Sequence, residues 1–175
     1  MSHELSHAVA SAARQTLADA LGKIEHCVGQ LSEDQLWWRP RPEMNSIANL
    51  MLHLTGNVRQ YIIAGAGGAK DLRNRPAEFA DRSHRPKHEL LAKLKSTADE
   101  ADKVISRVTE EQLVSTRRIQ GWDLTITEAI FGCISHFCGH TQEIIHMTRE
   151  QLGESYQPKY VPQSDAQISE HGPAI

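Results

Sequence analysis

Four long segments of this sequence place apolar residues at steps of three and four, the spacing that gives a helix one apolar face. They cover roughly residues 4–30, 46–64, 86–107 and 125–153. An amphipathic helix cannot bury its apolar face alone, and 175 residues are enough for one sizeable shared core. We therefore predict an all-α four-helix bundle over residues 1–162, followed by a polar, disordered tail over 163–175.

Helix starts are marked by Ser or Thr followed three residues later by Gln or Glu, the capping-box pattern. The pattern occurs at Ser32 and Gln35, at Thr109 and Gln112, and at Thr125 and Glu128. Asn45 or Ser46 is expected to cap the second long helix. The two short matches LSEDQL (31–36) and VTEEQL (108–113) also suggest that the chain consists of two related helix–turn–helix halves.

The segments between the predicted helices differ in character. Residues 65–86 are rich in Gly, Arg, Asp and Pro, which predicts an irregular connection. Its length would let the second and third helices run parallel. Residues 114–124 combine alternation with a glycine, which predicts an irregular or hairpin-like loop. Trp37 and Trp38 precede a Pro-rich stretch, and we expect them to fold back over one end of the bundle.

Three of the ten histidines fall where they could share a metal ion. His136 and His140 are four residues apart on one helix and therefore lie on the same side, and His53 lies on the second helix. Neutral imidazoles suit zinc or nickel, and three ligands leave a coordination position open. Chance gives on the order of 0.6 such His-x-x-x-His pairs in this composition. Ordinary helix histidines, partly buried or at the surface like His146, are therefore the alternative interpretation.

Two further residues flank this predicted site. Asn57 lies one turn beyond His53, and Glu143 lies close to His140 along the same helix. Either could orient a ligand, and Glu143 could act as a general base. The alternative for each is a solvated helix flank. Cys133 falls on the apolar centre of its helix, which favours core packing.

Several classes of function are disfavoured. A net charge of −3 with scattered Lys and Arg gives no reason to expect nucleic acid as a partner. No apolar segment approaches the ~20 residues that span a bilayer, and the N-terminus has no apolar signal region. We therefore expect a cytoplasmic protein without a membrane partner. The three cysteines would be reduced thiols in that compartment.

The motifs NSIANLMLHLTGN (45–57) and HFCGHTQEI (136–144), together with LSEDQLWWRP (31–40), resemble the DinB-like (DinB/YfiT) superfamily of small four-helix proteins. The resemblance points to a branch whose members are mostly of unknown function. It implies an up-down-down-up bundle, a homodimer, and a divalent metal held by His53, His136 and His140. Characterised relatives transfer or isomerise small molecules with low-molecular-weight thiols, so a thiol cofactor is also implied.

Two functional hypotheses follow from the residues and the resemblance. The first is a metal-dependent thiol S-transferase or hydrolase that acts on small molecules. The second is a non-catalytic, dimeric stress-response or ligand-binding module with a vestigial site. One departure concerns the residues after the last predicted ligand. Many relatives read His-x-Gly-Gln-Ile there, whereas this chain places a carboxylate, Glu143, where they carry an amide.

Overall fold

The computed structural model describes residues 2–160 of the chain, so the predicted tail over 163–175 lies outside the described residues. Four long helices form the bundle: α1 (Ser2–Gln30), α3 (Ile47–Val58), α5 (Lys87–Ile105) and α7 (Ile126–Leu152). Three short helices lie between them: α2 (Glu33–Trp37), α4 (Arg75–Ala80) and α6 (Glu110–Val114). A two-stranded antiparallel hairpin, β1 (Thr116–Ile119) and β2 (Trp122–Thr125), precedes α7. The predicted all-α bundle is confirmed.

Contacts between α3 and α5 show that these two helices run parallel. Asn49, near the beginning of α3, donates to the backbone oxygen of Asp81, shortly before α5. Arg59, where α3 ends, pairs with Glu100 in the second half of α5. The long connection therefore returns the chain to the opposite end of the bundle, as its length allows.

The other helix pairs complete an up-down-down-up arrangement. Arg14 in α1 pairs with Asp102 near the end of α5, so α1 and α5 are antiparallel. His26, near the end of α1, hydrogen-bonds the backbone oxygen of Gln157, which follows α7, so α1 and α7 run in the same direction. The core between the helices contains apolar side chains from all four, and its largest fully buried member is Phe137.

The predicted capping boxes are all present. The side chains of Ser32, Thr109 and Thr125 accept hydrogen bonds from the backbone three residues on, and they begin α2, α6 and α7. Ser46, rather than Asn45, caps α3, and its partner is Asn49. Helix positions in this chain are therefore set by local hydrogen bonds as well as by apolar spacing.

The predicted hairpin-like loop is a true hairpin. Gln120 and Gly121 form its turn with φ of 51° and 88°, the left-handed pair that a tight hairpin turn requires. Tyr61 donates a hydrogen bond of 2.7 Å to Gln120 Oε1, which attaches the turn to the end of the α3 region.

Three details differ from the sequence-based expectation. The connection 65–86 is not irregular throughout, because it contains α4, which Asn74 caps. The second long helix is not uniform, because the chain changes to a π-helical turn over Arg59–Ala66. Of the two tryptophans, Trp37 is buried and donates to the backbone oxygen of Arg85, whereas Trp38 is 38 % exposed. No helix among residues 2–160 is long and apolar enough to cross a membrane.

The two phenylalanines of α7 provide a matched test of this core. Phe137 is fully buried and Phe131 is 47 % exposed. We expect Phe137→Ala to lower the free energy of unfolding by about 3–5 kcal/mol, because it leaves a cavity in the core. Phe131→Ala should cost under about 1 kcal/mol. Urea unfolding followed by circular dichroism measures both, and equal losses would contradict this assignment of the core.

Candidate metal centre

The antiparallel packing of α3 against α7 brings the three predicted histidines together. One nitrogen from each of His53, His136 and His140 lies within 4.8 Å of the other two, and His53 Nε2 is 2.8 Å from His136 Nε2. Two nitrogens on a tetrahedral zinc lie roughly 3.4 Å apart, given zinc–nitrogen bonds of about 2.0–2.1 Å. The donor set and its spacing therefore fit one divalent ion.

The three imidazole rings are nearly perpendicular to one another. Their planes cross at 79°, 86° and 88°, with ring centroids 4.5–5.2 Å apart. His53 is buried, and His136 and His140 are partly exposed. A group of edge-on rings lets each nitrogen lone pair point toward a common centre without stacking. The inner side of the site is therefore closed and the outer side is open.

Glu78, at α4, fixes the protonation of His53. Its carboxylate Oε2 lies 2.9 Å from His53 Nδ1, and an ionised carboxylate can only accept, so Nδ1 carries the proton and donates. The His53 Nε2 lone pair is then left facing the other two histidines. This is the carboxylate–histidine pairing that orients metal ligands in proteins.

Arg73 holds Glu78 in its ionised form. Arg73 Nε and Nη2 donate to the two Glu78 oxygens at 2.7 and 2.9 Å, and Arg73 Nη1 donates to Gln60 at 2.9 Å. Burial would raise the pKa of the Glu78 carboxyl, but the hydrogen bonds and charges from Arg73 and His53 outweigh it and lower that pKa. The Arg73 side chain is only 3 % exposed, so this is a buried, bidentate ion pair.

Gly56 makes room for this ion pair. A Cβ at position 56 would lie 2.0 Å from Glu78 Oε1 and 2.8 Å from Glu78 Cδ. Any side chain at position 56 would therefore push the Glu78 carboxylate away from His53. Asn49 holds the backbone of α4 against α3, since its Nδ2 donates to the backbone oxygen of Glu78 at 2.9 Å.

The second carboxylate–histidine pair lies on α7. His140 Nδ1 is 2.7 Å from Glu143 Oε2, and this hydrogen bond, followed by the charges of the nearby histidines, lowers the pKa of Glu143 against the effect of burial. His140 Nδ1 therefore donates, and its Nε2 is left free. Glu143 thus contacts a predicted ligand directly, as a group that orients a ligand would.

His136 has the environment of a neutral imidazole. Burial, then the neighbouring His140 and His53, then Arg73 and Arg75, lower its pKa to about 4. A neutral ring is the form that binds a metal. Without a metal, His136 Nε2–H can donate to His53 Nε2 across the 2.8 Å that separates them.

Asn57 and Cys133 lie beside the histidines but do not contact them directly. Burial raises the pKa of the Cys133 thiol to about 12, so it stays protonated and donates to Asn57 Oδ1 at 3.2 Å. Cys133 is therefore a packing residue, as its position on the apolar stripe predicts. Asn57 lines the site, and its side-chain oxygen already accepts the hydrogen bond from Cys133.

An open cavity of about 400 Å³ adjoins the histidines. It is lined by His53, Asn57, Tyr61, Arg73, Arg75, Gln120, Gly132, Cys133 and His136. A second cavity of about 500 Å³ lies on the other side of the Arg73–Glu78 pair, between α3, α5 and the connection. A small molecule can therefore reach the histidines from the first cavity.

Sequence reasoning missed Arg73, Glu78, Gln60 and the space at Gly56. The segment that carries Arg73 and Glu78 has few apolar residues, and such a composition predicts an irregular connection. One local signal was available. Asn74 followed by Pro76 is the cap and first-turn proline of a helix start, and it would have marked α4.

Comparison with known proteins gives a family and a fold. A family model described as "Protein of unknown function (DUF1572)" matches residues 4–165. Among solved structures, a conserved protein from Enterococcus faecalis is similar with a TM-score of 0.68 and 17 % identity, over 82 % of this chain and 97 % of that one. At that identity the likeness concerns the fold. No curated protein matches the chain.

Removing the carboxylate of Glu78 should leave a buried guanidinium unpaired. We expect Glu78→Gln to lower the free energy of unfolding by about 3–5 kcal/mol, the usual cost of breaking one side of a buried ion pair. The matched control is Asp123→Asn, which breaks the exposed pair between Arg118 and Asp123 and should change little. Urea unfolding measures both, and similar losses would show that the Arg73–Glu78 pair is not a buried structural unit.

A side chain at position 56 should lower the stability of the fold, whereas a side chain at an open helix position should raise it. A Cβ added at Gly29 would meet no neighbouring atom of the described chain within 4 Å, so Gly29→Ala should gain up to about 1 kcal/mol from helix propensity. Gly56→Ala should instead destabilise the fold, because it displaces the Glu78 carboxylate from Arg73 and His53. Thermal unfolding of the two variants compares them, and an equal gain in both would refute the close approach of Glu78.

Proposed function

We propose that this chain, which belongs to the DUF1572 family of proteins of unknown function, is a metal-dependent enzyme that acts on small molecules. It binds one divalent ion, zinc or nickel, through His53, His136 and His140. The observation that carries the proposal is the convergence of three imidazole nitrogens within 4.8 Å at the edge of an open cavity.

The donor set supports a catalytic rather than a purely structural ion. Structural zinc sites are closed by four protein ligands, whereas catalytic sites use three and leave a position for a small molecule. Among the described residues, the groups that could supply a fourth ligand are otherwise engaged. The Cys133 thiol donates to Asn57, Glu143 is bonded to His140, and the donor atoms of the described chain that lie close enough to share an ion belong to the three histidines alone. A bound divalent ion supplies positive charge that lowers the pKa of a water or thiol and polarises a substrate.

The residues around the histidines have separable tasks. Glu78 and Glu143 keep the proton on Nδ1 of His53 and of His140, so that both Nε2 atoms stay available to a metal. Arg73 keeps Glu78 ionised. Glu143 also remains our candidate general base, because its carboxylate is 45 % exposed and could reach a proton in the open part of the site.

We place the chain in the DinB-like superfamily and propose that its reaction is thiol transfer or hydrolysis. The up-down-down-up helix order, the i, i+4 histidine pair and the third histidine on α3 support this placement. Thiol transfer follows from the resemblance of the sequence motifs to thiol-dependent members of that superfamily. A homodimer and a cytoplasmic location stay predictions of the same origin, and light scattering of the purified protein tests the first.

Metal content tests the proposal directly. Protein prepared without chelators should contain one divalent ion per chain by elemental analysis, and added zinc or nickel should raise the melting temperature of metal-free protein. His136→Ala should abolish both effects, because it removes one of three ligands. His146→Ala is the matched control, since His146 is an exposed histidine on the same helix.

The two kinds of failure are distinct. Absence of metal in wild-type protein, together with no metal-dependent rise in melting temperature, would overturn the metal site. A bound metal without turnover of reactive electrophiles, with or without small thiols, would instead favour the non-catalytic binding module. Turnover that His136→Ala removes and His146→Ala leaves intact is the expected result.

A further inference from the structure

The charged residues that line the cavity beside the histidines, apart from the histidines themselves, are all positive. Its described lining residues include two arginines, Arg73 and Arg75, and no Asp or Glu. The second, larger cavity has charges of both signs, because five Lys or Arg residues and three Asp or Glu residues line it. A negatively charged molecule therefore meets no carboxylate on the wall of the smaller cavity.

The two arginines of this cavity are not equivalent. Arg73 is already engaged: Nε and Nη2 donate to Glu78, Nη1 donates to Gln60, and the side chain is 3 % exposed. Arg75 is exposed, and its side chain forms no hydrogen bond or ion pair within the described part of the chain. Its five N–H donors are therefore available to a ligand.

Arg75 is nevertheless held in place. Its guanidinium lies over the ring of Phe79, 4.9 Å from the ring centroid, and Phe79 in turn packs on the imidazole of His53 with centroids 4.7 Å apart. The order Arg75, Phe79, His53 fixes the guanidinium relative to the histidines. Stacking on an aromatic face leaves the edge of the guanidinium, where the donors lie, free to bind in its own plane.

Two amides add donors to the same cavity. Asn57 and Gln120 accept through their oxygens from Cys133 and Tyr61, so their amide nitrogens remain as donors. Neither nitrogen bonds another group within residues 2–160. Gln120 holds its left-handed φ of 51° at the turn of the hairpin, where its side chain borders the cavity.

From this arrangement we propose that the cavity binds a carboxylate group of the small thiol or substrate, with Arg75 as its anchor. The inference rests on the proposed metal-dependent function and narrows its substrate class. A carboxylate matches the planar guanidinium through two parallel hydrogen bonds, and its single charge matches the single uncompensated cation. The reactive end of the same molecule then lies toward His136, which lines the same cavity.

Cobalt-loaded full-length protein provides the test, because a thiolate on Co²⁺ gives a near-ultraviolet charge-transfer band. The probes are 3-mercaptopropionate and its neutral isostere 3-mercaptopropionamide. Wild-type protein should bind the carboxylate thiol at least about tenfold more tightly, the effect of one charge-assisted pair. Arg75→Gln should reduce the preference to about twofold or less, while Co²⁺ stays bound to the histidines and the affinity for the amide is unchanged.

Two further variants sharpen the result. Arg75→Lys should keep part of the preference, because it retains the charge but loses the planar, two-bond match. Arg41→Gln should keep all of it, since Arg41 is exposed and lies outside this cavity. The visible spectrum of bound Co²⁺ monitors the histidines in every variant.

The outcomes separate this inference from the function on which it rests. If Co²⁺ does not bind, both are overturned. If Co²⁺ binds and the thiol band appears without a preference for the carboxylate, the metal site stands and the anchor is wrong. A preference that survives Arg75→Gln assigns the carboxylate to another group and overturns the role of Arg75.

Discussion

The parallel packing of α3 and α5 is the constraint on which this structure depends. Two consecutive parallel helices need a connection as long as the bundle, and here that connection returns along α3 itself. Gln60 bonds Asp71, His53 bonds Glu78, and Asn49 bonds the backbone of Asp81, so successive residues of the connection meet successively earlier residues of α3 and its π-helical extension. A segment that the topology requires thereby supplies the wall of the candidate metal centre.

The electrostatics of the site follow from the same return path. The connection brings a carboxylate to His53 and, five residues before it, the guanidinium that keeps this carboxylate ionised. Because the pair is buried, its strength depends on close fit, and Gly56 provides the space. Arg75 belongs to the same segment but has no carboxylate partner among the described residues. One short stretch thus orients the His53 ring and adds positive charge to the adjoining cavity.

Local rules explain how much of this could be predicted. Capping boxes at Ser32, Thr109 and Thr125 located the starts of α2, α6 and α7, and the apolar spacing located the four long helices, because both signals act within one or two turns. The same logic placed His136 and His140 on one side of α7. The π-helical turn after Val58 and the burial of Arg73 could not be predicted in this way, since each depends on neighbours that are distant in sequence.

The sequence alone determined an all-α bundle, allowed its second and third helices to run parallel, and marked three histidines as candidate ligands. These follow from periodicity, from loop length and from residue type, which are properties of the chain itself. Only the tertiary structure decided that Glu78 and Arg73 face His53, that Glu143 bonds His140, and that Arg75 has free donors. Such pairings depend on distances between segments that are far apart in sequence. From its composition alone, a charged connection is predicted to be a solvated loop, because its partners lie on other helices.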